Sequence, residues 1–268
     1  MTESPKPFNN EPTKGYRRML WILVTIGLAV YVGLCAFFFV FQRSFIYMPV
    51  PMTSAHAAAL VLDVPGARLR ISSRPKSGPQ ALIYFGGNAE DVAFSLAELA
   101  AVFPDRALYL MHYRGYGGSS GRPTEASLRS DARALYEMVH ARHPDVLVIG
   151  RSLGSSLAIQ LAAEENVTRL VLIAPFESIL TIVKRVASFL PIDLLLADTY
   201  ESWRYAPRVS CPTLILAASH DEIVPAGDTK KLLDAFRPGV ATLRILDGTD
   251  HNSLSDSGEF WEALAEVP

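Results

Sequence analysis

From Ala81 to the C-terminus, short apolar runs alternate with helix-like runs, and that alternation limits the chain to very few folds. Apolar runs begin near Ala81, Ala107, Val146, Arg169, Pro212 and Ala241. Helix-patterned stretches lie among and after them at Asp91–Val102, Glu125–Ala141, Ser155–Glu164, Thr229–Phe236 and Leu254–Ala265. Strands separated by helices pair in parallel, because the crossover returns the chain to the end where it started. Such a sheet is covered on both faces, which is why its strands read as continuous apolar runs. Ligands then bind beyond the carboxyl ends of the strands, so the loops at those ends are where chemistry is to be sought. Upstream, Ala59–Val64 and Arg68–Ser72 read as two further strands in a proline-punctuated stretch between Gln42 and Pro79.

One strand-end loop carries a motif. Gly150-Arg151-Ser152-Leu153-Gly154 follows the run Val146–Ile149 and precedes the helical stretch from Ser155. This is G-x-S-x-G between a strand and a helix, the arrangement that lifts a nucleophilic serine clear of a sheet edge. Side chains two positions before or after Ser152 would crowd so sharp a turn, hence glycine at both. The following helix aims its N-terminus at the serine, where negative charge develops during acyl transfer.

A serine nucleophile needs a base and an orienting acid, in chain order Ser, Asp or Glu, then His. The strand from Pro212 runs into Ser219-His220-Asp221-Glu222, and Asp221 is the expected acid, with Glu222 its rival. The strand from Ala241 runs into Asp247-Gly248-Thr249-Asp250-His251-Asn252, and His251 is the expected base. His56, His140, His143 and His220 have weaker claims. After the strand at Ala81 comes Gly86-Gly87-Asn88-Ala89. The backbone amides of Asn88 and Leu153 are the expected oxyanion donors, although Asn88 also suits a helix cap. No paired His or Cys spacing suggests a metal, and the chemistry requires no cofactor.

With these residues in place the chain resembles α/β-hydrolases of the Bem46-like group, which includes membrane-associated ABHD-type serine hydrolases. The resemblance spans roughly Phe45 to Trp261. It rests on Ile46-Tyr47-Met48-Pro49, Tyr84-Phe85-Gly86-Gly87-Asn88-Ala89, the run Tyr113–Gly121, the elbow, and the loops of Asp221 and His251. It implies the α/β-hydrolase fold: a mainly parallel central sheet with helices on both faces and a small cap. It also implies a triad of Ser152, Asp221 and His251. Two departures stand out. The group usually has histidine where Gly86 stands; the hole, built of backbone amides, is expected to survive on a looser loop. His112 occupies a position where the group often has a structural aspartate. The glycine-rich run around Arg114 lacks the P-loop ending and the dinucleotide spacing, and is expected to be a structural loop beneath the active-site face.

Residues Met19 to Phe41 contain no charge and are almost wholly apolar, long enough for a bilayer core of about 30 Å. A secretory signal has a shorter apolar core and a small-residue cleavage site, which this run lacks, so an uncleaved anchor is the better reading. Lys14, Arg17 and Arg18 precede the span, whereas only Arg43 closely follows it. The positive-inside rule then puts the N-terminus in the cytoplasm and the remainder across the membrane, in a Gram-negative cell on the periplasmic face. The expected organisation is a tail at 1–18, a transmembrane helix at 19–41 and a catalytic domain at 42–268. About 225 residues make one domain with a generous core.

A net charge of −2 with no basic patch excludes a nucleic-acid footprint. Cys35 and Cys211 lie in different segments and offer no internal disulfide. The interval Phe176–Ser210 is long and apolar, where such hydrolases insert a cap; its leucines and isoleucines either pack on the sheet or line an acyl pocket. The leading expectation is a membrane-anchored serine hydrolase cleaving an ester or thioester of an apolar acyl group. Two alternatives remain open: a serine aminopeptidase-like peptide hydrolase, and a non-catalytic binding protein on the same fold. Oligomeric state is not legible.

Overall fold

A computed structural model describes residues 14–53 and 59–268. His56 lies outside the described residues. The chain forms two compact units, Met1–Gln42 and Arg43–Pro268. The first consists, among its described residues, of helix α1 (Lys14–Ile46), whose final turn from Arg43 belongs to the second unit. The helix outruns the expected apolar span at both ends, because Arg17, Arg18 and Gln42 are good helix formers and simply continue it. It is long and apolar enough to cross a membrane. Trp21, Leu28, Val30 and Val40 are exposed on it, and the Thr25 hydroxyl donates to the Trp21 carbonyl at 2.8 Å.

The second unit runs β1 (Ala59–Val64), β2 (Ala67–Arg74), β3 (Gln80–Phe85), α2 (Ser95–Val102), β4 (Ala107–Met111), α3 (Glu125–His140), β5 (Asp145–Arg151), α4 (Leu153–Glu164) and β6 (Arg169–Ile173). It continues through α5 (Ile179–Val186), α6 (Ile192–Leu195), β7 (Thr213–Ala218), α7 (Ala226–Ala235), β8 (Ala241–Leu246) and α8 (Gly258–Ala265). The strands form one 8-stranded sheet in the order β1-β2-β4-β3-β5-β6-β7-β8. β1 and β2, and β2 and β4, pair antiparallel; every other pair is parallel.

Alternate strand residues serve opposite faces. Leu82, Leu110, Ile149, Val171 and Leu216 pack with Leu99, Phe103, Phe260 and Leu264 into one core, under α2 and α8. The other face carries α3 and α4, and α4 is buried from Leu153 to Ala162. Its buried polar side chains are small or bonded: Ser155 donates to the Ser152 carbonyl at 2.5 Å and Gln160 to Glu125 at 3.2 Å.

The strand order sets the site. After β3 the chain steps to β4 on one side and then to β5 on the other, so β3 and β5 flank a topological switch point. Phe85 pairs with Gly150 in register. The chain therefore leaves β3 as Gly86–Asn88 beside the place where it leaves β5 at Ser152.

Helix boundaries differ from the sequence expectation in instructive ways. Residues 91–94 form turns before α2, because the Asp91 carboxylate takes the Ala93 amide at 3.2 Å and the Thr53 amide at 2.8 Å. Leu254–Asp256 is a 3₁₀ turn, and Ser257 is extended before Gly258 opens α8. The interval Phe176–Ser210 holds α5, α6 and two 3₁₀ turns, Ser202–Arg204 and Ala206–Arg208. Phe176, Leu190, Ile192 and Leu196 are buried there, whereas Val186, Phe189 and Leu194 are 79%, 63% and 83% exposed. The insert is thus half packing and half open surface.

Candidate active site

Ser152 sits at φ 49° and ψ −111°, a left-handed backbone that costs roughly 1–3 kcal/mol for a side-chain-bearing residue. The surroundings hold it there. Its amide donates to the Ile173 carbonyl at 2.8 Å, and its carbonyl accepts the Ser155 amide at 3.0 Å. A Cβ at Gly154 would lie 2.1 Å from the Phe85 carbonyl oxygen, and one at Gly150 would lie 2.5 Å from the Gly154 carbonyl oxygen. Both glycines are therefore demanded by close backbone approach, and the approach is what brings α4 against the end of β3.

His251, in the loop after β8, places Nε2 3.0 Å from Ser152 Oγ. Its Nδ1 lies 2.7 Å from Asp221 Oδ2, in the loop after β7. A carboxylate only accepts, so Nδ1 carries the hydrogen and Nε2 is left as acceptor for the serine hydroxyl. Asp221 is buried and its Oδ1 takes the amides of Ile223 at 2.9 Å and Val224 at 2.7 Å. Those bonds fix the carboxylate edge toward the imidazole. Glu222 is exposed and makes no such contact. The loop beyond His251 is pinned by Asp250, whose Oδ1 takes the Asn252 and Ser253 amides, bonds that hold its carboxyl below the usual carboxylate range.

Among the described residues, no protein acceptor takes the Leu153 or Asn88 amide. Gly87 lies beside the serine, with its Cβ position 3.8 Å from Ser152 Cβ. The loop after β3 thus passes beside the serine at Gly87, the residue before Asn88, while Leu153 follows the serine directly. Asn88 does not cap α2, which starts at Ser95 after Phe94.

No family model matches the chain. An uncharacterized protein of Mycobacterium tuberculosis is 35% identical over 248 residues, 86% of this chain and 87% of that one. The bem46 protein of Schizosaccharomyces pombe is 31% identical over 209 residues, 73% of this chain and 69% of its own length. The chain belongs to the α/β-hydrolase family, in its Bem46-like group. Solved structures agree on the fold. Mouse alpha/beta hydrolase domain-containing protein 10 matches with TM-score 0.63 at 19% identity, over 78% of this chain and 96% of that chain. The Pyrococcus furiosus esterase Pf2001 matches with TM-score 0.67 at 15% identity, over 82% and 96%.

In this α/β hydrolase the loop after β3 is braced rather than loose. A Cβ at Gly86 would fall 2.4 Å from Val92 Cγ1, so histidine cannot stand at Gly86 without repacking Val92. Bracing comes from elsewhere. Glu90 takes the Gly87 amide at 2.6 Å, the Tyr84 hydroxyl at 2.7 Å and the Ser95 hydroxyl at 3.2 Å. Tyr113 donates to the Gly86 carbonyl at 2.7 Å, and Tyr116 to Asn88 Oδ1 at 2.7 Å. Burial, reinforced by Glu90, holds the Tyr84 and Tyr113 hydroxyls well above the usual phenol range, and burial pushes Tyr116 up to about 12. All three remain donors at any working pH.

Sequence reasoning treated the Tyr113–Gly121 run as structural and missed what its tyrosines hold. Arg114 pairs with buried Asp131 through two bonds of 2.7 Å rather than facing a phosphate. The Glu three residues after Gly87 was the legible signal for the loop brace. His112 is buried, with Nε2 2.8 Å from Ser72 Oγ, and burial holds its imidazole below the ordinary histidine value. His143 bridges Gly78 and Tyr109, and His140 stacks on Tyr136. Among the described residues no His, Cys, Asp and Glu cluster could hold a metal ion. A groove beside His251 is bordered by His220, Glu222, Ile223, Asp250 and Asp256.

Proposed function

We propose that this chain is a membrane-anchored serine hydrolase that cleaves an ester or thioester of an apolar acyl group through an acyl-enzyme on Ser152. The observation that carries the reading is the unbroken contact chain from Ser152 Oγ to His251 to the buried Asp221. In this reading Ser152 Oγ attacks the carbonyl carbon while its proton passes to His251 Nε2. Asp221 holds the imidazole in the required tautomer and stabilises its cation. The oxyanion meets the amides of Asn88 and Leu153 at the positive end of α4. His251 then returns the proton to the departing alcohol or thiol. Water, deprotonated by His251, attacks the acyl-enzyme, and the acid leaves as Ser152 recovers its hydrogen. Every step uses groups of this chain, and no cofactor is invoked.

Membrane anchorage is supported by α1, whose apolar side chains are exposed along its length. The basic flank at Arg17 and Arg18 favours a cytoplasmic N-terminus, with the catalytic unit across the membrane. The peptide-hydrolase alternative draws its support from Glu222, Asp250 and Asp256 around the groove, since carboxylates there suit a cationic amine.

The test is a fluorophosphonate probe on the full chain in detergent, followed by kcat/KM across acyl esters, thioesters and aminoacyl amides. The expected result is labelling at Ser152 and an ester or thioester preference. Selective cleavage of N-terminal amino-acid amides would favour the alternative, and absence of labelling would leave a binding protein on a hydrolase fold. A C-terminal reporter active only in the cytoplasm would reverse the orientation.

A further inference from the structure

Both ends of the Asn88 side chain are engaged, and not by its own loop alone. Its Nδ2 donates to the Ile46 carbonyl at 2.7 Å, and its Oδ1 accepts the Met48 amide at 3.0 Å. One carboxamide thus pairs with the backbone on either side of Tyr47, as one peptide group pairs with another across antiparallel strands. Tyr116 closes the arrangement: its hydroxyl donates to Asn88 Oδ1 and accepts the same Met48 amide at 2.8 Å. The neighbouring segment is fastened too, since the Gly117 amide donates to the Val50 carbonyl at 2.8 Å. Tyr47 points the other way, its hydroxyl donating to Asp198 at 3.1 Å and lying 2.8 Å from the Tyr200 hydroxyl. Arg43 Nε reaches the same Asp198 carboxylate at 2.9 Å. Residues 43–50 therefore tie the loop after β3 to the insert that precedes β7.

The tie has a job that packing alone does not explain. Ala89 stands at φ 58°, in the left-handed region that a side chain disfavours. Glu90 and Tyr113 hold Gly87 and Gly86, but at Asn88 itself the turn is held through the side chain, whose Oδ1 also takes the Ala89 amide at 3.2 Å. The Asn88 amide is the proposed oxyanion donor, and a donor misplaced by an ångström loses much of its effect.

Resting on the proposed acyl transfer, we infer that Ile46–Met48 and Tyr116 grip the Asn88 carboxamide to set the position of the Asn88 N–H beside Ser152. Asn88's side chain, Tyr116 and the strap are positioning groups: they touch no substrate and act through the backbone amide. The segment that follows the apolar helix is thereby part of the reaction's machinery rather than a linker.

The test uses the full chain in detergent, with turnover counted per active site by burst titration so that unfolded protein drops out. Asn88→Ala keeps the backbone N–H and removes only the grip. It should lower kcat by roughly 10–100-fold, the scale expected for misplacing a catalytic group, with KM changed less than about twofold. Tyr116→Phe should show the same split on a smaller scale, about 3–10-fold, since one of the bonds to Oδ1 is lost. Affinity for a trifluoromethyl ketone, whose adduct places an oxyanion in the hole, should fall in parallel with kcat across the variants. Ser152→Ala separates this inference from the reading beneath it. If that variant still labels and turns over, the serine mechanism itself fails. If it is inert while Asn88→Ala and Tyr116→Phe keep full kcat and inhibitor affinity, the strap has no positioning role. If Asn88→Ala does not fold, Tyr116→Phe decides by the same kcat and inhibitor readouts.

Discussion

The loop after β3 and the insert before β7 both border the catalytic face, yet they are built on opposite principles. Gly86–Ala89 is a handful of residues held by Glu90, Tyr113, Tyr116 and the backbone of Ile46 and Met48. The insert is far longer, but α5 buries none of its residues and Val186 and Leu194 are left open to the surroundings. The short loop is over-determined, the long one under-determined. Groups that must meet a developing charge gain from rigid placement, because their dipoles then need no reorganisation at the moment of reaction. Groups that select a substrate need only shape and apolar area, which a loosely packed helix supplies and can vary cheaply. Chemistry on the strand ends and selectivity on the insert is the division this contrast predicts.

The sharpest break would come at the strand ends. Ser152→Ala should abolish fluorophosphonate labelling and lower turnover by about 10⁴-fold or more. His251→Ala should be nearly as damaging and Asp221→Asn somewhat less so, while exposed Glu222→Gln should stay close to the parent. A normal Asp221→Asn beside an inactive Glu222→Gln would assign the acid wrongly.

A second measurement probes the rigidity itself. Gly86→Ala forces a methyl into Val92 and should destabilise the fold by about 1–3 kcal/mol, the usual scale of overpacking. Val92→Ala in the same chain should recover most of that loss. The two substitutions should be strongly non-additive in a double-mutant cycle of unfolding free energies. Additivity would mean that the loop yields, and the contrast with the insert would weaken.

His112 supplies a smaller, pH-dependent effect. Burial lowers its folded pKa below the unfolded histidine value of about 6.5. The unfolded chain therefore binds the proton first as pH falls, and stability is lost progressively below that value. His112→Asn should flatten the fall of Tm between pH 7 and pH 5 relative to the parent. An unchanged slope would remove His112 from the account.

The smallest effect belongs to the insert. Phe189→Ala should change stability by less than about 0.5 kcal/mol, as exposed substitutions do. It should move the preferred chain length in a series of p-nitrophenyl esters, each accommodated methylene contributing roughly 0.8 kcal/mol, or up to about fourfold in kcat/KM. A flat profile unaffected by the substitution would assign the insert to packing alone. A large drop in kcat would contradict the proposed division outright.

Much of this was legible before any coordinates. The alternation of apolar and helical runs determined the parallel sheet, because only crossover helices return a chain to the same strand end. G-x-S-x-G marked the turn after β5, and chain order pointed to His251 and to the loop that carries Asp221 and its rival Glu222. The Met19–Phe41 run announced a long apolar helix. These signals are local, written in period, punctuation and order. Other features are decided only by tertiary structure. Gly86 reads as a departure from the family pattern until Val92 is found across from it. Asn88 reads as an oxyanion donor through its backbone, with its side chain free to cap a helix, until its carboxamide is found on the backbone of Ile46 and Met48, about forty residues upstream. Tyr116 looks like an ordinary turn residue until its partners are known. In each case the deciding contact joins segments distant in sequence, and hydrogen bonds between such segments leave no periodicity for a sequence to display.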